Sequence, residues 1–278
     1  MKKRKAFFLL LSLVAAGAAV LYFMYFVVTA DRRAPVIFIP EGTLELSIND
    51  GDETILDGVT AKDNRDGDVT ATMVVENVKG LKNDGSAKVV LAAFDKSGNV
   101  GKAEREIRYT DYAAPVFDLK QALIFKEDVS YTLVSCATAE DVIDGDISDR
   151  IKVTVLEAEH NITQAGDYKV RFRVTNSLGD TAYLEAPVTV YSAAENYNAK
   201  VELKQYLVYL KQGSSFSPEN YFVSLVAGSK KLTAADEGTD IDIDSRVKTN
   251  EPGVYQVDYI VTNGNYKGIS RLLVIVEE

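Results

Sequence analysis

The stretch "GDYKVRFRVTN", residues 166–176, alternates Tyr168, Val170, Phe172 and Val174 with Lys169, Arg171 and Arg173. A period of two puts one set on a buried face and the other in water, as in a half-buried strand of an antiparallel sheet. "GSAKVVLAAFD" at 85–95 and "GVYQVDYIVTN" at 253–263 align with it without a gap, each opening on Gly and closing on Asp or Asn. The third copy repeats the alternation through Tyr255, Val257, Tyr259 and Val261, whereas "KVVLAAF" in the first is apolar on both faces. Each copy is followed by a turn, "KSGN", "SLGD" or "GNYKG", and then by a second strand, "KAEREIRY", "AYLEAPVTVY" or "ISRLLVIVEE". Two strands around a Gly-containing loop make a hairpin, so the predicted fold class is all-β.

The same register extends upstream. "APVIFIP" at Ala34 returns as "APVFDL" at Ala114, and "DGDVTATMVV" at Asp66 as "DGDISDRIKV" at Asp144; "DIDSRVKT" at Asp242 matches "DISDRIKV" at Asp146. An internal repeat of this kind decides the architecture. Short strands at regular spacing, with no long helical period beyond the N-terminus, predict three tandem β-sandwich domains, 34–111, 112–192 and a divergent 196–278. Pro35 and Pro115 fall near the first strand of their domains, where a missing N–H does no harm. The joints "YTDYAAP" and "YSAAENYNAK" are short, so a semi-rigid rod is expected.

Ahead of the repeats, Lys2, Lys3, Arg4 and Lys5 precede an apolar run from Ala6 to Val28. About 20 apolar residues suffice for a helix to cross a bilayer. The basic cluster predicts a cytoplasmic tail (1–5), a single-pass transmembrane helix (6–28) and an extracellular remainder. Val28-Thr29-Ala30 leaves open the alternative of a cleaved signal peptide and secretion, although a secretory apolar region is usually about 7–15 residues long. The chain is 46% hydrophobic and 26% charged, a composition for folded domains. Setting aside the four N-terminal basic residues leaves 27 of the 31 Lys and Arg against 41 Asp and Glu, a net charge of −14. Such a surface repels nucleic acid and anionic lipid. Cys136 is the sole cysteine; an intrachain disulfide is therefore impossible, which in an exported protein points to a bacterial surface and to a small core residue.

"GVTAKDNRDGDVT" at 58–70, the Gly-led strand and "FDKSGNVG" at 94–101 resemble the bacterial surface protein Ig-like domain family, a module also found in a pesticidal crystal protein and related to hyalin-type repeats. Copy two keeps "ATAEDVIDGDIS"; copy three matches only in its second half and in "GSSFSPENYF". The resemblance covers residues 34–278. It implies Ig-like sandwiches displayed in tandem on a bacterial surface as spacer or adhesion modules, and no catalytic residues.

Within "VTAKDNRDGDVT", 59–70, carboxylates crowd around a glycine. An EF-hand loop needs ligands at positions 1, 3 and 5 with Gly at 6, and here Asp63, Asp66 and Asp68 fall at 1, 4 and 6 with Gly67 at 5. That spacing fails. A different calcium site remains open if Asp63, Asp66 and Asp68 meet Asp95 at one end of the sandwich. Asn64, Asp66 and Gly67 are turn formers, and a turn with no cofactor is the preferred reading. Copy two keeps Asp141, Asp144 and Asp146 but has Asn176 opposite Asp95, and copy three lacks the loop.

His160 is the only histidine, so a nucleophilic triad would have to pass through it; in "EAEHNIT" it reads as an exposed loop residue. Asn161 opens a glycosylation-type "NIT", idle in a bacterium. "EGTDIDID" and "EDVIDGDISD" could pair carboxylates for a glycosidase, but acidic turns are commoner. Tyr197, Tyr206 and Tyr209 could stack on sugars, but Tyr is ordinary in strands, and packing in the core or on a sheet face is the preferred reading. The sequence therefore predicts a non-enzymatic cell-surface rod, with a carbohydrate-binding accessory module as the alternative. Its expected partners are a cell-envelope protein or glycan and, through the helix, the membrane.

Overall fold

A computed structural model describes residues 2–156 and 162–278, with side chains from residue 10 onward except at 26 and 29. His160 and Asn161 lie outside the described residues. The N-terminal helix runs Lys2–Thr29, and every described side chain from Leu10 to Tyr25 is exposed. Among the described residues no helix is long and apolar enough to cross a membrane. The chain divides into two compact units, 1–111 and 112–278.

The described residues form six sheets, which fall into three like pairs. In the first repeat a small sheet joins Val36–Phe38, Thr60–Asp63 and Gly67–Asp68. Its larger sheet runs Leu44–Leu46, Val100–Tyr109, Ser86–Phe94, Val74–Lys79. The second repeat has the same order, Val116–Leu119, Ala137–Asp141, Gly145–Asp146 and then Ile124–Lys126, Thr181–Tyr191, Gly166–Thr175, Lys152–Val155. In every repeat the central hairpin is antiparallel, while a short early strand adds parallel to its second arm. Repetition of this wiring, all-β and sandwich-like, follows from the repeated hairpin.

The period of two is realised as burial. Val170, Phe172 and Val174 are inside while Lys169, Arg171 and Arg173 are exposed. These three share a core with Phe117, Leu119, Ala137 and Ala139 of the small sheet and with Leu184, Ala186 and Val188, so two sheets close on one apolar layer. Cys136 belongs to that core, and burial pushes its thiol up. In the first repeat Val89, Leu91 and Ala93 are fully buried on one face, and Ala92 on the other is nearly so, which accounts for the doubly apolar copy.

The third repeat departs from its sequence alignment. Asp242 pairs across the ladder with Ile260, the position at which Lys152 pairs with Arg173 in repeat two. The partner of "DIDSRVKT" is therefore the strand beginning at Lys152, not the turn at Asp146, because ladder register and not local acidity aligns strands.

Repeats two and three are welded into one unit. Leu207 and Leu273 belong to the core of repeat two. The Tyr209 hydroxyl donates to the Phe117 carbonyl at 3.1 Å. Arg271 grips Asp258 through Nε at 2.5 Å and Nη2 at 3.0 Å, and its Nη1 donates to Thr189 Oγ1 at 2.9 Å.

Candidate functional site

Strand Thr60–Asp63 alternates exposed and buried positions, so Ala61 and Asp63 point inward. The chain then reverses at Gly67, whose φ of +74° suits a residue without a Cβ. Asp63 Oδ1 accepts hydrogen bonds from the backbone N–H groups of Arg65 at 2.8 Å and Asp66 at 2.9 Å. These bonds, from Asp66 and then Arg65, hold its carboxyl below the usual aspartate value. The second oxygen is different: Asp63 is only 8% exposed, and its buried Oδ2 has no hydrogen-bond partner among the described residues.

Asp95, also 8% exposed, follows strand Ser86–Phe94 and enters the hairpin turn. Its Oδ1 accepts from Asn99 N at 2.8 Å and its Oδ2 from Asn99 Nδ2 at 2.6 Å. Asp31 approaches from just beyond the helix. Its side chain is 4% exposed and stands 3.6 Å from Arg65 Nε; Oδ1 accepts from Arg33 N at 3.1 Å, and Oδ2 is buried without a hydrogen bond among the described residues. Close backbone packing delivers Asp31 to this place: a Cβ on Gly101 would stand 1.9 Å from the Pro35 carbonyl oxygen, and Asn99 Nδ2 also donates to the Asp31 carbonyl at 3.3 Å.

One carboxylate oxygen from each of Asp31, Asp63 and Asp95 lies within 4.8 Å of the others. Like charges at about 4 Å repel by roughly 4 kcal/mol at an effective dielectric of 20. The ligand set is all oxygen, the chemistry of a hard cation.

The structure thus brings together Asp63 and Asp95 of the sequence-predicted set, leaves out Asp66 and Asp68, and adds Asp31. Asp66 is diverted because its Oδ2 accepts Lys96 N at 2.8 Å, with Lys96 Nζ 3.7 Å from Oδ1. Asp68 is exposed in its short strand, and its Oδ1 accepts Thr70 N at 2.9 Å. Asp31 was missed because "DRR" reads as flanking charge for the helix. No local pattern marks it, because its placement follows from Gly101 admitting the Pro35 carbonyl.

The corresponding end of repeat two has an amide in place of the third carboxylate. Asp141 Oδ1 makes the same turn, accepting from Ile143 N and Asp144 N, both at 2.9 Å. Its Oδ2, however, accepts Asn176 Nδ2 at 3.1 Å. Asn176 Nδ2 also donates to the Tyr112 hydroxyl at 3.0 Å, and that hydroxyl donates to Asp180 Oδ2 at 2.7 Å. Burial, then the bond to Asp180, push the Tyr112 hydroxyl well above the usual tyrosine value. Asp144 repeats the role of Asp66, accepting Ser177 N at 2.6 Å. Burial raises its carboxyl, but the bonds from Ser177 and Arg150 outweigh this and leave it low.

The other sequence candidates do not gather. Tyr197, Tyr206 and Tyr209 are half-buried rather than exposed. Tyr197 packs edge-on to Tyr191 under Lys267, while Tyr206 and Tyr209 pack against the repeat-two core. Burial pushes the Tyr209 hydroxyl up to about 12. Asp240, Asp242 and Asp244 line the exposed side of Thr239–Ser245, a solvated face.

These features define a class, a chain of tandem sandwich-like repeats with an acidic cluster at one end of the first. No protein-family model matches the chain. It is 26% identical over 230 residues to the pesticidal crystal protein Cry22Aa of Bacillus thuringiensis, covering 79% of this chain and 29% of that protein. It is 29% identical over 180 residues to an uncharacterized 81.3 kDa protein of Acholeplasma phage L2, covering 63% and 22%. The chain therefore spans less than a third of either relative, and the likeness to a pesticidal crystal protein is weak. Among solved structures, the extracellular domain of protocadherin GammaB4 shares 11% identity at a TM-score of 0.20, covering 87% of this chain and 49% of that one. The CBM51-2 and INT domains of Clostridium perfringens ZmpB share 17% at 0.22, covering 51% and 29%. Both overlaps are too slight to carry an argument.

Proposed function

We propose that this chain is a non-enzymatic surface stalk. Residues 6–28 anchor it in the cell membrane with the N-terminus inside, and three Ig-like modules, 34–111, 112–192 and 196–278, hold or space an adhesive surface outside. The observation that carries the reading is the weld between repeats two and three, where Leu207 and Leu273 enter the neighbouring core and Arg271 reaches Thr189. Modules joined in this way keep a fixed spacing, which suits a spacer. The apolar run, with its described side chains exposed, supports the anchor. The net negative charge and the lone buried Cys136 suit a bacterial exterior.

The test is topological. Protease added to intact cells, or to protoplasts where a wall intervenes, removes residues 31–278 while a cytoplasmic control survives. Protection of that part overturns the extracellular reading, and recovery of a soluble form beginning at Asp31 replaces the anchor with a cleaved signal peptide.

A further inference from the structure

We infer that Asp31, Asp63 and Asp95 form a calcium site that ties the segment following the N-terminal helix to the first sandwich. Two independent observations meet here. Three carboxylates from segments far apart in sequence converge within 4.8 Å. Two of them, Asp31 and Asp63, each carry a buried oxygen with no hydrogen-bond partner among the described residues. A side-chain turn explains Asp63 Oδ1, which accepts two backbone N–H groups, but it leaves Oδ2 unexplained, and a buried acceptor without a donor is costly. Arg65 Nε, 3.6 Å from Asp31 Oδ2, is beyond hydrogen-bond distance and offsets one of three charges. A hard dication satisfies all three carboxylates at once, and calcium accepts irregular oxygen sets that water completes. Repeat two supplies the internal control, since Asn176 stands where repeat one has Asp95 and its Nδ2 satisfies the Asp141 oxygen equivalent to the orphan of Asp63. Where no cation is to be held, the amide replaces it.

The ion would do mechanical work. Asp31 sits at the exit of helix Lys2–Thr29, and Asp63 and Asp95 sit on two turns of the sandwich. Joining them stiffens the connection through Arg32 and Arg33, both exposed. Binding is a property of the isolated chain, so its failure leaves the stalk reading untouched, and failure of the stalk reading leaves the site untouched.

The full chain in detergent micelles is titrated with calcium chloride by calorimetry, and tryptic cleavage at Arg32 and Arg33 is timed in chelator, calcium and magnesium. One calcium per chain is expected, with a Kd of about 10⁻⁴–10⁻³ M, the range of extracellular modules. At about 10 mM calcium the folding constant of the first unit rises roughly 10–100-fold and cleavage slows, while magnesium has little effect. Asp31→Asn and Asp95→Asn each abolish the response. In chelator Asp95→Asn melts at or above the natural chain, because it relieves repulsion with the residue repeat two already uses; in calcium it melts below. Absence of calcium binding, an equal effect of magnesium, or a response that survives both substitutions overturns the site. Should Asp95→Asn not fold, Asp31→Asn decides the matter alone, since the one hydrogen bond its side chain accepts among the described residues, from Arg33 N to Oδ1, is kept by an amide.

Discussion

At the same end of two like sandwiches, repeat one gathers Asp31, Asp63 and Asp95, whereas repeat two places Tyr112, Asp141, Asn176 and Asp180. The turns are alike. Asp63 and Asp141 each accept two backbone N–H groups two and three residues on, and Asp66 and Asp144 each latch the facing hairpin by accepting its first backbone N–H. What differs is the second oxygen of the inward aspartate, orphaned in repeat one and bonded to Asn176 in repeat two. A scaffold can therefore be kept while its end alternates between a cluster of unpaired carboxylate oxygens and a network in which an amide bonds the inward carboxylate. A swap of Asp and Asn along the hairpin turn carries the change, Asp95 with Asn99 in one repeat and Asn176 with Asp180 in the other.

The comparison rests first on the two ends sitting over comparable cores, and the largest expected effect tests that. Phe172 is fully buried, so Phe172→Ala should cost about 3–5 kcal/mol. Cys136, 1% exposed in the same core, reports this through the urea concentration at which its thiol becomes reactive. A midpoint within error of the natural chain would mean that the period-two face is not the core. Next in size, Asn176→Asp gives repeat two the carboxylate of repeat one without Asp31 or a cation. The new charge faces Asp141 Oδ2 at 3.1 Å and leaves that buried acceptor and the part-buried Tyr112 hydroxyl without their donor, for an expected loss of about 2–3 kcal/mol. The same thiol assay reads it, and an unchanged midpoint would break the equivalence of the two ends.

The smallest effect sharpens a second contrast, between a repeat end and the weld. Tyr209→Phe removes the bond to the Phe117 carbonyl and should cost about 1 kcal/mol at neutral pH. The sign of its pH dependence follows from the raised pKa. Burial lifts the Tyr209 hydroxyl from 10 to about 12, so the stability it lends is whole below pH 10 and is lost as the pH rises through about 12. Melts of the natural chain should therefore fall over that window more steeply than those of Tyr209→Phe. Parallel curves would show that the hydroxyl is not held in the weld.

Much of the fold could be read directly. Val170, Phe172 and Val174 announce their burial by spacing alone, and the repeated Gly-led strands announce a repeated hairpin, because both follow from the geometry of a pleated chain. The meeting of Asp63 with Asp95 was legible as an option, since two copies preserve the loop and the strand end that face one another. Asp31 was not legible. Its place depends on Gly101 admitting the Pro35 carbonyl, a contact between residues distant in sequence.

The sequence by itself determined the strand pattern, its threefold repetition, the apolar N-terminal run and the acidity of the surface, since all of these are local periodicities or sums over residues. Only the tertiary structure decided which aspartates converge, that Asp66 and Asp68 turn away, and that the packing of Tyr206 and Tyr209 falls between repeats. It also decided that 112–278 forms one unit. These outcomes depend on the register of one strand against another and on the docking of one core against the next. Hydrogen bonds and burial set both across long stretches of chain, and no spacing along a single segment encodes them.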